Sequence, residues 1–195
     1  MGLTRDDAVA GRSELPDTGA EDRALAAVTV RYLKRRPTRR MAPFTLGWLY
    51  RLHREIFGRV WLGGAGKPRT AEANFGVPAS RVNPAMFELA RDVAVWDGDP
   101  IDDAAELHWR AVQIHPFVDG NGRWARLLAS IWVRQRSSGL LDWPLDVRRP
   151  RSALRDQYLD AIERAVRGDD ADLKALHRQW VRPWPARPRV DESRP

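Results

Sequence analysis

The sequence predicts an all-helical domain with one small β-hairpin. Apolar side chains recur every three or four residues along most of the chain, which is the spacing of a buried helix face. The two clearest stripes are Leu46, Leu49, Leu52 and Ile56, and then Trp124, Leu127, Leu128 and Ile131. Residues 61–82 lack this spacing and are rich in glycine, arginine and asparagine, so we expect the short hairpin there.

Seven helices are predicted in order along the chain. The first is expected over residues 21–36 and must stop at Pro37, because proline cannot continue a helix. The others are expected over residues 45–57, 84–96, 103–114, 123–137, 152–168 and 170–180. Their ends fall near Gly98, Pro116 and Gly139, and Ser152 is suited to cap the sixth helix.

The chain divides into four parts by composition. They are a loose N-terminal segment (residues 1–19), an N-terminal helix with a basic loop (20–43), a main domain (44–181) and a tail rich in proline and arginine (182–195). The 195 residues, 43% of them hydrophobic, suit one domain with a substantial core. No cysteine is present, which excludes disulfides and thiolate metal sites. No apolar run approaches the ~18 residues of a membrane helix, and the first residues lack the apolar stretch of a secretory signal. We therefore expect a cytoplasmic protein with no membrane partner.

Positive charge is in excess, with a net charge of +7 and an isoelectric point near 10.6. The densest basic cluster consists of Arg31, Lys34, Arg35, Arg36, Arg39 and Arg40. Cations at the end of a helix are favoured by the helix dipole, so the cluster does not by itself indicate nucleic-acid binding. An acidic protein target is another use for it.

The run HPFVDGNGRWAR, from His115 to Arg126, is the most informative part of the chain. Pro116 disfavours helix at His115, so the preceding helix should end there. The Gly-Asn-Gly turn that follows tolerates positive φ and directs backbone N–H groups into one concavity. Since the next helix begins at this turn, its free N–H groups and its dipole favour a phosphate.

The charged residues of the same run fit a nucleotide polyphosphate. Arg123 and Arg126 lie on one face of the first helical turn, where two cations are unfavourable unless an anion offsets them. Asp119 is the kind of carboxylate ligand that Mg²⁺ takes beside substrate phosphates. His115, with an ordinary pKa near ~6.5, suits general-base work near neutral pH.

Two other nucleotide-binding patterns fit less well. Residues 120–125 formally match the dinucleotide fingerprint G-x-G-x-x-A, but that fingerprint must follow a buried strand, whereas residues 103–114 are charged and helix-like. A P-loop is absent, because Gly66-Lys67 is followed by Pro68 and lacks the upstream glycine.

The run resembles the Fic (Fido) family signature HxFx(D/E)GNGRxxR at every defined position. The resemblance extends over roughly residues 44–180. Within the family the chain is similar to small bacterial single-domain members, including those called mobile mystery protein B. It implies a helical bundle with a hairpin flap beside the active site, and transfer of AMP from ATP to a Ser, Thr or Tyr hydroxyl of a target protein. Gly122 favours AMP transfer, because the branch of the family that acts as a kinase has lysine there.

The resemblance also implies a role for each residue of the motif. His115 would accept the proton of the target hydroxyl, and Asp119 would hold Mg²⁺ between the α- and β-phosphates. The N–H groups around Gly120, Asn121 and Gly122 would form the anion hole, with the Asn121 side chain on the α-phosphate. Arg123 would bind near the β-phosphate and Arg126 the γ-phosphate, while Phe117 would anchor the loop in the core.

Target docking and regulation are expected outside the motif. The flap should lie within residues 62–77, with Lys67 and Arg69 facing the target or the nucleotide, although Pro68 departs from the family pattern. Many relatives are inhibited by a glutamate that pairs with the second motif arginine, here Arg126. No segment carries the full inhibitory motif; the candidates are Glu21 and Glu14, with a separate small antitoxin as the alternative. The sequence also leaves open a homodimer. Two other functions remain open as well: another nucleotide-dependent transfer, such as that of phosphate or phosphocholine, and a catalytically idle toxin–antitoxin or binding module.

Overall fold

The computed structural model describes residues 18–184. Seven α-helices follow one another along this part of the chain: α1 (Thr18–Leu33), α2 (Leu46–Phe57), α3 (Val82–Val93), α4 (Pro100–Ile114), α5 (Asn121–Arg136), α6 (Ala153–Val166) and α7 (Ala171–Trp180). Two strands, β1 (Gly139–Leu141) and β2 (Val181–Pro183), complete the fold with short 3₁₀ turns at Ala79–Arg81 and Leu145–Arg148. The predicted all-helical class with one small two-stranded element is confirmed. No helix in the described range has the length and apolar character needed to cross a membrane.

Helix α5 forms the centre of the bundle. Its side chains are buried along almost the whole length of the helix, including Trp124 and Trp132, which are fully inaccessible to solvent. The indole of Trp124 donates to the Leu49 carbonyl of α2 at 3.2 Å, and Phe44 packs on both Trp48 and Trp132. Because this core surrounds α5, the N-terminus of the helix has a fixed position at the edge of the bundle.

The two strands do not lie where the hairpin was expected. They pair antiparallel as a two-stranded sheet, with Leu140 opposite Arg182, so the first residues of the predicted tail are part of the fold. Residues 58–78 form turns and irregular backbone instead, with positive φ at Gly63, Gly66 and Gly76. Pro68 removes one backbone donor, and the carbonyls of this segment bind a side chain, as described below. Among residues 18–184 the flap therefore forms no ladder of backbone hydrogen bonds.

Candidate functional site

The junction between α4 and α5 holds the motif in a sharp turn. Helix α4 ends at Ile114, as Pro116 predicts, and His115 adopts the left-handed conformation with φ 50°. Gly120 precedes α5 with φ 78°, and its own N–H binds the Asp119 carboxylate. A Cβ on Gly120 would lie 2.5 Å from the Phe57 ring, so both the backbone and the packing require glycine at this position.

Asn121 shapes this turn with its side chain. Its amide oxygen accepts from the N–H of Phe117, and its amide nitrogen donates to the Phe117 carbonyl, both at 2.9 Å. The residue is only 3% exposed. The resemblance implies that this side chain binds the α-phosphate. In the structure both of its polar groups instead bind the loop backbone at Phe117, whose ring is buried in the core. Asn121 lines the cavity, but its side-chain amide is already bound to Phe117.

Phe117 and His53 join the loop to the rest of the bundle. The Phe117 ring stacks on His53, with ring centroids 3.6 Å apart. The Gly66 N–H donates to Nδ1 of His53 at 2.9 Å, so Nε2 carries the proton and donates to the Asp119 carbonyl at 3.0 Å. Burial lowers the pKa of His53 to about 4, which keeps the ring neutral. His53 was not among the residues predicted for the site, although its place on the buried stripe of α2 was the available signal.

One cavity of about 850 Å³ collects the predicted motif residues. His115, Asp119, Asn121, Arg123 and Arg126 all line it, together with Gly120 and Gly122. The lining also includes Leu145 and arginines 148, 149 and 155, which precede or begin α6. A volume of this size falls within the usual range for small-molecule sites, and six arginines against four carboxylates give the lining a positive excess.

The imidazole of His115 lies in this cavity in a largely desolvated position. Burial, reinforced by the positive charge of Arg69, lowers the pKa of His115 to about 4. The Val112 carbonyl opposes the shift, but Nδ1 has no partner with hydrogen-bond geometry in the described range. Phe75 covers the ring edge-on, with centroids 5.4 Å apart. At neutral pH the side chain is therefore an uncharged base.

Arg123 is bound by a carboxylate from the first turn of α1. Its guanidinium forms an ion pair with Glu21, which is 6% exposed, and lies 3.7 Å from the Asp119 carboxylate. The second oxygen of Glu21 accepts from the Trp61 indole at 3.0 Å, and the guanidinium packs over the rings of Trp61 and Phe57. The structure thus brings Glu21 into the site, but at Arg123 and not at Arg126, while Glu14 lies outside the described residues.

Arg126 lines the cavity one turn further along α5, beside Tyr158 of α6. Burial raises the pKa of Tyr158, and the neighbouring Arg126 opposes that rise. Gly122 precedes both arginines in the first turn of α5, and a Cβ there would meet no atom closer than the Arg126 guanidinium at 3.5 Å. The fold itself would therefore accept a side chain at position 122.

The two expected flap residues have separate environments. Lys67 is exposed and does not line the cavity. Arg69 is buried and lines the cavity, and its guanidinium donates to the carbonyls of His115, Ala71 and Val77. With these bonds in place Arg69 is not available to a target segment in this structure. Within residues 18–184 no cluster of three or more His, Cys, Asp or Glu suits a metal ion.

Comparison with known proteins gives the same family. The family model described as Fic/DOC matches residues 43–133. The protein adenylyltransferase fic-1 of Caenorhabditis briggsae is 32% identical over 104 residues, covering 50% of this chain and 20% of that protein. The protein adenylyltransferase Fic of Nematostella vectensis is 32% identical over 94 residues, covering 43% and 21%. The chain thus spans about a fifth of the length of these curated relatives.

Solved structures share the architecture at lower identity. Fic-1 (residues 134–508) from Caenorhabditis elegans superposes with a TM-score of 0.70 and 21% identity, covering 90% of this chain and 53% of that one. BepC protein from Bartonella tribocorum, solved with bound AMPPNP, superposes with a TM-score of 0.62 and 15% identity, covering 85% and 86%. By the motif, the helical architecture and these matches together, the chain is similar to the Fic/DOC family, whose model covers residues 43–133.

Proposed function

We propose that this chain is a protein adenylyltransferase, which transfers AMP from ATP to a Ser, Thr or Tyr hydroxyl of a target protein. The observation that carries the proposal is the convergence of a neutral base, a carboxylate, two arginines and a helix N-terminus on one cavity. The relatives named adenylyltransferases support it. So do the Bartonella structures, one solved with AMPPNP and another with ADP.

His115 supplies the base for this reaction. The hydroxyl oxygen of the target forms a bond to the α-phosphorus while His115 takes the hydroxyl proton. The bond from the α-phosphorus to the oxygen that bridges it to the β-phosphate breaks, and pyrophosphate leaves. Because burial lowers the pKa of His115 to about 4, the imidazole is uncharged at pH 7 and can accept this proton. Positioning and charge stabilisation, not covalent catalysis, then lower the barrier.

The N-terminus of α5 would hold the phosphates. The first turn of a helix leaves backbone N–H groups free for an anion, here those of Asn121 and Gly122, whereas the Gly120 N–H already donates to the Asp119 carboxylate and would have to exchange that partner for a phosphate. Arg123 and Arg126 supply planar forks for phosphate oxygens. Gly122 supports this arrangement, because neither packing nor backbone strain requires a glycine there. Its missing side chain leaves room for a ligand to approach the backbone.

Asp119 fits a magnesium ion that is shared with the substrate. Its carboxylate side chain is 31% exposed on the cavity wall, and Mg²⁺ beside a nucleotide takes one or two carboxylates, the remaining ligands being phosphates and water. The ion would neutralise charge on the α- and β-phosphates. The His53 bond to the Asp119 carbonyl fixes the backbone that carries this ligand.

Glu21 would control access of the nucleotide to Arg123. A β-phosphate and the Glu21 carboxylate compete for the same guanidinium, so ATP binding requires the ion pair to open. Because the chain already provides this carboxylate from α1, we favour inhibition within the chain over a separate antitoxin. Lys67, on the exposed side of the flap, would contact the target. Use of ATP is consistent with a cytoplasmic location, and neither nucleic acid nor a homodimer is required.

The experiment uses ATP labelled at the α- or the γ-phosphate, with Mg²⁺, the protein and a lysate as the source of target. Label retained from the α position, and lost in His115→Ala, supports AMP transfer. The matched control is Gln113→Ala, which removes a polar side chain from α4 outside the cavity. Label retained only from the γ position would overturn the proposal in favour of phosphate transfer. Transfer only from a labelled phosphocholine donor would favour phosphocholine transfer. If no donor gave any transfer, the result would favour a catalytically idle module.

A further inference from the structure

Arg69 is a buried cation within the described structure, with backbone carbonyls as its partners. It is 5% exposed, and its Nε donates to the His115 carbonyl at 2.8 Å. The other two nitrogens donate to the carbonyls of Ala71, at 3.0 Å, and of Val77. Burial of a guanidinium is costly unless it finds acceptors, and here each of its three nitrogens donates to one carbonyl, on two segments of the chain.

These bonds tie the flap to the catalytic turn at two neighbouring peptides. Besides the side-chain bond to His115, the backbone N–H of Arg69 donates to the Pro116 carbonyl at 2.8 Å. The His115 carbonyl lies at the C-terminal end of α4, where unpaired carbonyls favour a cation. Arg69 thus serves the helix end as a cap while it holds the residue that carries the base.

The flap approaches His115 so closely that a side chain would not fit between them. Gly76 has φ 109°, and a Cβ there would lie 2.5 Å from the Cβ of His115 and 3.2 Å from the Arg69 guanidinium. His115 itself has a left-handed backbone, which a residue with a Cβ adopts at a cost of order 1–3 kcal/mol. Such a conformation persists only where its surroundings fix it, and Arg69 provides the hydrogen bond to that peptide.

We propose that Arg69 is a positioning residue for His115, which holds the left-handed catalytic backbone against the flap, and that it binds neither the target nor the nucleotide. This inference rests on the proposed role of His115 as the base. The imidazole is surrounded by the Arg69 guanidinium and the Phe75 ring from the flap and by the Val112 carbonyl from α4. Arg69 is the charged group of the described chain that shifts the pKa of His115, and it lowers it.

The first test measures His115 directly and does not depend on activity. An NMR titration of the full chain follows the four histidines in the wild type, in Arg69→Gln and in Arg69→Lys, with the His115 signal assigned from its absence in His115→Asn. We expect the pKa of His115 to rise by about one pH unit in Arg69→Gln and to stay near its wild-type value in Arg69→Lys. His53 and His177, which also have pKa values of about 4, are internal standards, and Arg81→Gln removes an exposed charge at the end of the same segment. An unchanged His115 titration in folded Arg69→Gln would overturn the proposal.

The second test uses the transfer reaction and a variant that leaves Arg69 in place. Gly76→Ala forces the flap away from His115, and Arg69→Lys keeps the charge but not the three-way donor set. In both variants we expect kcat to fall at least tenfold while KM for ATP and for the target stays within about twofold. A rise in KM for the target at unchanged kcat would instead assign Arg69 to target binding. If the wild type transfers no AMP, the proposed function fails while the NMR result still decides the positioning of His115.

Discussion

The Glu21–Arg123 pair offers the sharpest test of regulation. Its side chains are 8% and 19% exposed, so solvent screens the pair only in part. Replacing Glu21 by Gln removes the charge but keeps an oxygen that can accept from the Trp61 indole. Hydrogen bonds to charged groups contribute about 1.5–3 kcal/mol, and each 1.4 kcal/mol is a factor of ten in affinity. We therefore expect Glu21→Gln to bind ATP about 10–100-fold more tightly than the wild type.

The assay combines calorimetric titration with a non-hydrolysable ATP analogue and the rate of AMP transfer. Asp22→Asn is the matched control, since Asp22 is the next residue, carries the same charge and lines the same cavity. Without ligand, Glu21→Gln should lose about 1–2 kcal/mol of unfolding free energy, because Arg123 keeps only the Asp119 carboxylate at 3.7 Å and its two aromatic rings. The analogue should restore that stability. Equal affinity of wild type and Glu21→Gln would refute competition at Arg123.

Three further outcomes follow from the site. Gly122→Ala should change the melting temperature by no more than a few degrees, since its Cβ would meet only Arg126 at 3.5 Å. The same substitution should weaken ATP binding measured by calorimetry. Unchanged binding would contradict a ligand in contact with the Gly122 backbone. The acidic limb of kcat/KM should lie near pH 4, where His115 titrates, and a limb near pH 6.5 in a pH–rate profile would exclude a desolvated base. Stability should fall as pH drops from 6.5 towards 4, because the pKa values of His53, His115 and His177 are lowered in the folded state and the unfolded chain binds protons first. Urea midpoints at pH 7 and 5 measure that loss, which is on the order of 1–2 kcal/mol for each histidine.

The local features of the motif were predictable from the sequence because they depend on neighbours in the chain. Pro116 ends α4 at the expected residue, and Gly120 has the expected positive φ. Helix α5 starts at Asn121, two residues before the predicted start, because the Asn121 side chain closes the loop on Phe117 and lets the helix begin inside the Gly-Asn-Gly turn. These hydrogen bonds join residues only four apart in the chain. The resemblance, however, predicts a phosphate as the partner of the Asn121 side chain.

The flap and the resting ion pair were less predictable, because their partners are distant in the chain. Arginine in a glycine-rich loop is typical of an exposed ligand-binding group, but Arg69 finds carbonyl acceptors on the turn that follows α4, 46 residues away. Glu21 was a candidate from its place on a predicted helix, but only the packing of α1 against the motif determines which arginine it reaches. Phe57, the last residue of α2, and Trp61 after it lie beside the Arg123 guanidinium, and the Trp61 indole also donates to Glu21, so these aromatic side chains favour the pairing of Glu21 with Arg123.

The same contacts explain why the expected hairpin is absent from the flap. Two carbonyls that a strand could offer to a neighbour, those of Ala71 and Val77, accept from Arg69 instead. A paired strand in the flap would have to give up these bonds and leave a buried guanidinium unsatisfied, at a cost of about 1–3 kcal/mol or more for a charged group. An incoming target segment would therefore add to the outer edge of the flap, on the side of Lys67, while Arg69 continues to hold His115 from the inside. This separation of docking from positioning predicts that changes at Lys67 alter KM for the target, whereas changes at Arg69 alter kcat.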